Sequence, residues 1–237
     1  MTQDNNPKII LTRPEPGLSK FSGQLLHDLP TADVYNEPLQ VIEFVPNNLD
    51  LDGYNGFVFT SSNGVRAAKR WNLPKRIGFG VGSVTTNLAS TFCDPVYNGG
   101  SNVDALIELI LTHRPHGPLL HVRGKVSVGN LADRLSEHGI ETHEVIGYEQ
   151  SAIPASDTLL QMLQGGMPVI LPLFSPKSAE ILKMLSTRRD HWHVVAMSQA
   201  VAEIFCPDEV MILETAKNPN GAAMLEAVID AWHGYRC

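Results

Sequence analysis

The chain has 237 residues, 43% hydrophobic and 18% charged, enough for one large or two small domains with real cores and too apolar for a disordered tail. Acidic residues (25) outnumber Lys and Arg (18), the net charge is −7, and no stretch has the basic run that sequence-independent nucleic-acid binding needs; nucleic acid is not an expected partner. The start, MTQDNNPKIILTRPEP, lacks an apolar core of signal-peptide length, and nowhere do about 18 apolar residues follow one another, so a cytoplasmic chain with no membrane attachment is expected.

KIILTRPEPG (8–17) predicts a short buried strand ending in a turn. Its prolines suit the first turn of the helix LSKFSGQLLHDL, where Leu18, Phe21, Leu25, Leu26 and Leu29 recur at helical spacing. ADVYNEPLQVIEF (32–44) is β-branched and aromatic but interrupted by Pro38, which predicts an extended connector rather than a central strand. GFVFTSSNGVRAAKRW (56–71), RIGFGVGSVTTNLAS (76–90) and PLLHVRGKVSVGNLADRLSEHG (118–139) each read as strand, small polar turn, helix. Strands apolar throughout, each followed by a helical pattern, predict parallel sheets covered on both faces, hence an α/β fold.

The chain then repeats itself. The order IILTRP, helix, YNEPLQVIEF, FVFTSSNGV, GFGVGSVTTN recurs as LLHVRG, helix, HEVIGYEQSA, LPLFSPKSAEI, VVAMSQAVAEI. Arg13 and Arg123 lie 110 residues apart, Ser61 and Ser175 114, and Ser83 and Ser198 115. Two similar units predict two similar domains. Six strand ends carry Arg13; Thr60, Ser61 and Ser62; Gly82, Ser83 and Thr85; Arg123 and Gly124; Ser175, Pro176, Lys177 and Ser178; and Ser198 and Gln199.

Small hydroxyl residues where a strand ends and a helix starts cap the helix. Ligands of open α/β sheets also bind outside the carboxyl ends of the strands, where helix N-termini present free N–H groups to anions. Two such edges facing inward predict a cleft for a ligand with several carboxylates or phosphates. Other chemistries find little support. GFGVGS (78–83) lacks the third glycine of a dinucleotide loop, and there is no G-x-S-x-G elbow or phosphate-binding GxxxxGK[ST]. Cys93, Cys206 and Cys237 are too widely spaced for a disulfide framework or a CxxC site and are expected to be inert. His113/His116 and His191/His193 lack metal-ligand spacing and read as exposed loop histidines, so no metal or organic cofactor is expected.

The order LLTRP-like start, FTSSNGV, VG followed by Ser and Thr, VRG, VIGYEQ, FSPKSA and VVAMSQAVAE is similar to uroporphyrinogen-III synthase and covers nearly the whole chain. Ala200, Val201 and Pro172 depart from the usual pattern. The resemblance implies two similar domains, each a parallel sheet flanked by helices, joined by a two-stranded linker with a cleft between them. Residues 1–37 and 153–237 would form the first domain and 38–152 the second, with linker segments near 37–41 and 148–153. It implies cyclisation of hydroxymethylbilane with inversion of the last ring and loss of water; separately, a monomer is the default expectation, with transient contact with the preceding pathway enzyme. Tyr148 matches the family's tyrosine and is the expected acid to the leaving hydroxyl; Thr85 aligns with a cleft threonine, and the strand-end residues above, with Arg13, Arg123 and Lys177 as charge partners, are the expected substrate contacts. The alternative is a non-catalytic two-domain module that binds an anionic small molecule with the same geometry.

Overall fold

Short apolar runs form the central strands of two sheets, and the helical patterns between them cover both faces. The computed structural model describes residues 6–100, 102–127 and 129–235. The chain divides into two compact units, one of residues 1–41 and 151–237, the other of residues 42–150.

The first unit contains β1 (Lys8–Leu11), α1 (Gly17–Asp28) and β2 (Val34–Asn36) from the N-terminal segment. The later segment supplies α6 (Asp157–Gln164), β9 (Val169–Leu173), α7 (Pro176–Leu185), β10 (Trp192–Ala196), α8 (Gln199–Ala202), β11 (Ile212–Thr215) and α9 (Gly221–Gly234). The sheet runs β11-β10-β9-β1-β2, and every pairing in it is parallel. Successive residues serve opposite faces, as a period of two requires. Ile10, Leu171 and Val194 pack in one apolar cluster, whereas Ile9, Leu11, Ile170 and Val195 pack in another with α1 and α9.

The second unit contains β4 (Gly56–Phe59), α2 (Ser62–Lys69), β5 (Ile77–Gly80), α3 (Ser83–Ala89), β6 (Val96–Asn98), α4 (Val103–His113), β7 (Leu119–Gly124) and α5 (Leu131–Glu137). Two strands, β3 (Gln40–Phe44) and β8 (Thr142–Ala152), carry the chain across the unit boundaries. The second sheet runs β3-β8-β7-β4-β5-β6. Phe57, Phe59, Leu120 and Val122 face one cluster, and Val58, Phe79 and Leu119 face the other. Full burial of each such side chain stabilises by about 1.5–3 kcal/mol. Apart from β3, the strand order repeats that of the first sheet: β4, β5 and β6 take the places of β9, β10 and β11, and β7 and β8 those of β1 and β2. Each sequence repeat thus gives its first strand to one unit and its later strands to the other.

Two seats in the second unit depend on a missing Cβ. At Gly64 a Cβ would overlap the Val122 carbonyl oxygen, so glycine lets α2 lie directly on β7. At Gly124 a Cβ would stand 2.8 Å from Cζ and 3.0 Å from Oη of Tyr148, so glycine makes room for the phenol.

The structure corrects three expectations. Leu26 is 42% exposed, because the buried stripe of α1 is Leu18, Phe21, Ser22 and Leu25. Residues 32–44 are not one connector: Val34–Asn36 pairs in parallel with β1 as an edge strand, and Pro38 falls in the gap before β3, where no ladder N–H is needed. His191 and His193 are buried, not loop-exposed, each beside a carboxylate: Asp190 at 3.3 Å and Glu214 at 2.9 Å. Edge strands β6 and β11 carry no fully buried residue, so the apolar run that marks β1, β4 and β5 is absent from them. Cys93 is buried, which pushes its thiol up to about 12, Cys206 is exposed, and Cys237 lies outside the described residues.

Candidate functional site

The turn after β4 is built by capping. Ser61, in extended conformation, accepts the Asn63 N–H on Oγ at 3.2 Å and starts α2. Arg66, one turn on, donates from Nη1 to Ser62 Oγ at 2.9 Å and to Asn63 Oδ1 at 3.1 Å. Burial pulls the Arg66 guanidinium below its ordinary value, yet it stays charged and sets a cation behind the turn. Among the described residues the N–H groups of Ser62 and Gly64 have no protein acceptor, as the first turn of a helix leaves them.

This turn opens on a cavity of about 310 Å3 lined by Thr60, Ser61, Val103, Gly124, Val126, Ser127 and Tyr148. Four expected site residues from three strands of the second unit therefore meet at one place: Thr60, Ser61, Gly124 and Tyr148. Tyr148 arrives there because β8 pairs Gly124 with Tyr148 across an irregularity that follows the Arg123–Ile146 pair.

Behind the cavity three strands carry a polar chain. Thr60 Oγ1 lies 3.2 Å from Nε2 of His121, a residue 1% exposed on β7. His121 Nδ1 is 3.3 Å from Glu144 Oε1 on β8, and Glu144 Oε2 accepts from Arg123 Nε at 2.6 Å. Burial pulls the imidazole below its ordinary value, outweighing the opposite pull of Glu144; Arg123 acts in the same direction as burial. Arg123 also donates from Nη1 to the carbonyl oxygens of Gly124 and Lys125, so much of its donor capacity holds the turn rather than standing open to a ligand. His121 and Arg66 escaped the sequence reading. The available signals were a histidine inside an apolar strand and an arginine four residues after Ser62.

The other expected residues fall elsewhere. Gly82 caps α3 with φ +77°, a conformation that favours glycine, and its N–H is taken by the Gly100 carbonyl at 2.8 Å. Ser83 is exposed at the start of α3, while Thr85 is buried and packs its methyl group against Gly80.

In the first unit, Arg13 lies over the Phe174 ring, 4.1 Å from its centroid. Ser175 caps α7 by accepting the Ser178 N–H at 3.2 Å, and Ser178 Oγ bonds Ser175 Oγ at 2.9 Å and Gln40 Nε2 at 2.8 Å. Ser178 is 3% exposed, so neither its N–H nor its hydroxyl stands ready for a ligand. Pro176 is the first helical residue and has no N–H to give. Lys177 is exposed and 3.7 Å from Glu180. Ser198 precedes the four-residue α8 without a side-chain cap bond, and Gln199 Nε2 donates to Glu203 at 3.3 Å.

Among the described residues no group of three or more His, Cys, Asp or Glu side chains is placed to hold a metal ion, and no helix is long and apolar enough to cross a membrane. A family model described as uroporphyrinogen-III synthase HemD matches residues 26–226, which span both units. The chain belongs to the uroporphyrinogen-III synthase family. Solved members of that name share its fold. The uroporphyrinogen-III synthetase of Helicobacter pylori aligns at TM-score 0.63 and 17% identity over 95% of this chain and 99% of that one. A mutant uroporphyrinogen III synthase of Thermus thermophilus aligns at TM-score 0.58 and 16% identity over 96% and 99%. No curated protein matches the chain.

Proposed function

We propose that this chain closes hydroxymethylbilane to uroporphyrinogen III, with inversion of the last ring and loss of water, as a cytoplasmic monomer in transient contact with the preceding pathway enzyme. The observation that carries the reading is the family match over 26–226, which takes in the cavity of the second unit and both strand-end turns. The reaction is a cyclising lyase step in heme biosynthesis.

The bilane is intrinsically reactive and closes unaided without inversion, so the enzyme's task is to hold a shape that favours the other closure. Substrate carboxylates are drawn to the open first-turn N–H of Ser62 on α2, where Arg66 adds a cation. Directed donors at contact range outweigh a net charge of −7 spread over the surface, since charges beyond about 10 Å are screened. Arg13, Lys177, Ser198, Gln199 and Ser83 are secondary contacts in this reading, whereas Thr85 is buried in the packing of α3. Tyr148 assists the departing hydroxyl: its phenol lines the cavity beside Gly124, and a hydrogen bond from Oη stabilises the charge that develops on the leaving oxygen.

The test is to mix the protein with freshly made hydroxymethylbilane, oxidise the product and separate the porphyrin isomers. Predominant III isomer is expected; the I isomer alone overturns the reading.

A further inference from the structure

The hydroxyl of Thr60 has a direction, and the residues behind it set that direction. Thr60, His121 and Glu144 share one face of the second sheet, because Val58, His121 and Glu144 occupy paired positions on β4, β7 and β8 and Thr60 follows Val58 by two. Glu144, bound to Arg123, is an acceptor only, so the His121 nitrogen beside it, Nδ1, carries the proton. The helices covering this face bring apolar groups to it, among them Leu106 and Ile107 from α4 and Leu131 and Leu135 from α5. Glu144 and Arg123 are the charged groups that bear on the ring, and burial keeps it neutral. A neutral ring protonated at Nδ1 presents a lone pair at Nε2. The Thr60 hydroxyl, 3.2 Å away, must donate to it. What Thr60 then turns toward the cavity is a lone pair, not a proton.

A carboxylate is repelled by such a group, and a ring N–H is matched by it. The cavity, about 310 Å3, is at the small end of ligand sites and has room for one pyrrole ring with its acid arms. We propose that this cavity holds a single pyrrole of the substrate and that Thr60 Oγ1 accepts its ring N–H, with His121 and Glu144 as positioning residues that fix the polarity of the hydroxyl. This role for Thr60 rests on the synthase reading, which is what brings a pyrrole to the cavity. It gives the expected substrate contact at Thr60 a definite part, that of acceptor. The acid arms fall to the neighbouring N–H of Ser62, in the first turn of α2.

The experiment pairs two probes, a monopyrrole bearing acetate and propionate arms and its N-methyl analogue, which cannot donate. Calorimetric titration of the wild-type protein is expected to show about tenfold weaker binding of the N-methyl compound, the worth of one hydrogen bond to a partly buried partner. Thr60→Val is expected to bind both alike, and Thr60→Ser to restore the preference. In ¹⁵N-histidine-labelled wild-type protein near neutral pH, the His121 ring is expected to show Nδ1 protonated and Nε2 bare, a readout independent of any variant's folding. Equal binding of the probes by wild type, a preference that persists in Thr60→Val, or a proton on Nε2 each overturns the assignment. Formation of the III isomer alongside any of these leaves the synthase reading intact; loss of the III isomer with the probe preference retained removes that reading and keeps the N–H acceptor.

Discussion

The turn after β4 and the turn after β9 are copies in sequence and in strand order, yet they end as different surfaces. Both start with a capping serine, Ser61 and Ser175. The residue after it is Ser62 in one copy and Pro176 in the other, and the third is Gly64 in one and Ser178 in the other. In the second unit those choices leave two first-turn N–H groups without a protein acceptor and bring α2 down onto β7. In the first unit proline removes one donor, Ser175 accepts another from Ser178, and the Ser178 hydroxyl is tied to Gln40. The strands that precede the first helix of each repeat diverge in the same sense. Arg13 is followed by Pro14 and stacks on Phe174, whereas Arg123 is followed by Gly124, which admits the Tyr148 ring. The residues one and three places after the capping serine thus set how many first-turn donors each copy leaves unpaired and what its helix packs on.

The largest expected break is at Gly64. An added Cβ meets the Val122 carbonyl oxygen, which is backbone and cannot step aside, so Gly64→Ala is expected to cost about 3 kcal/mol in urea unfolding. Its counterpart Ser178→Ala, which loses a buried bond to Gln40, should cost about 1–2 kcal/mol. Equal costs at the two positions would show that the copies are seated alike.

Turnover is the next measure. Gly124→Ala displaces the phenol and is expected to lower kcat about 100-fold, as is Tyr148→Phe, in steady-state assays of folded protein. Pro14→Ala, in the other copy, should leave kcat unchanged. A Tyr148→Phe variant as active as wild type removes the phenol from the chemistry.

Ser62→Pro converts the open turn toward the closed one. Proline is favoured at the first helical position, and Ser61 is already extended with φ −148° and ψ 145°, so folding should not suffer. Loss of the N–H is expected to raise KM about tenfold with kcat little changed. A matching loss of stability would mean that the change acts through the fold and not through the donor.

The smallest effect is on the pH dependence of stability. Burial holds His121 below the 6.5 of a free imidazole. The unfolded chain therefore binds the proton first, and the contribution is complete above about pH 6.5 and lost as pH falls through the folded value. Urea midpoints measured from about pH 7 to pH 5 should decline, and His121→Phe should flatten that decline. An unchanged slope in the variant would place the acid sensitivity on other groups.

Much of the fold was legible because its strands are short, apolar and punctuated. FVFTSSNGV reads as strand, cap and helix from local chemistry alone, and the chain forms β4 and α2 there. Edge strands were illegible for the opposite reason. Val34–Asn36 and Ile212–Thr215 are half exposed and gain their conformation from β1 and β10, which lie far off in sequence. His121 and His193 were missed because their partners stand across the sheet: Glu144 is 23 residues from His121 and Glu214 is 21 from His193. Composition points such residues outward, and only strand pairing shows the carboxylate that accompanies them inward. The difference between Ser61 and Ser175 was equally hidden, since both are good caps and the outcome turns on which N–H each accepts.

The most direct measurement is the isomer distribution of oxidised porphyrin formed from fresh hydroxymethylbilane by wild type and by Gly124→Ala, side by side. Wild type is expected to give predominantly the III isomer, and Gly124→Ala to give mostly the I isomer of unaided closure. The I isomer from wild-type protein, or undiminished III isomer from Gly124→Ala, would contradict a synthase whose chemistry depends on the open site of the second unit.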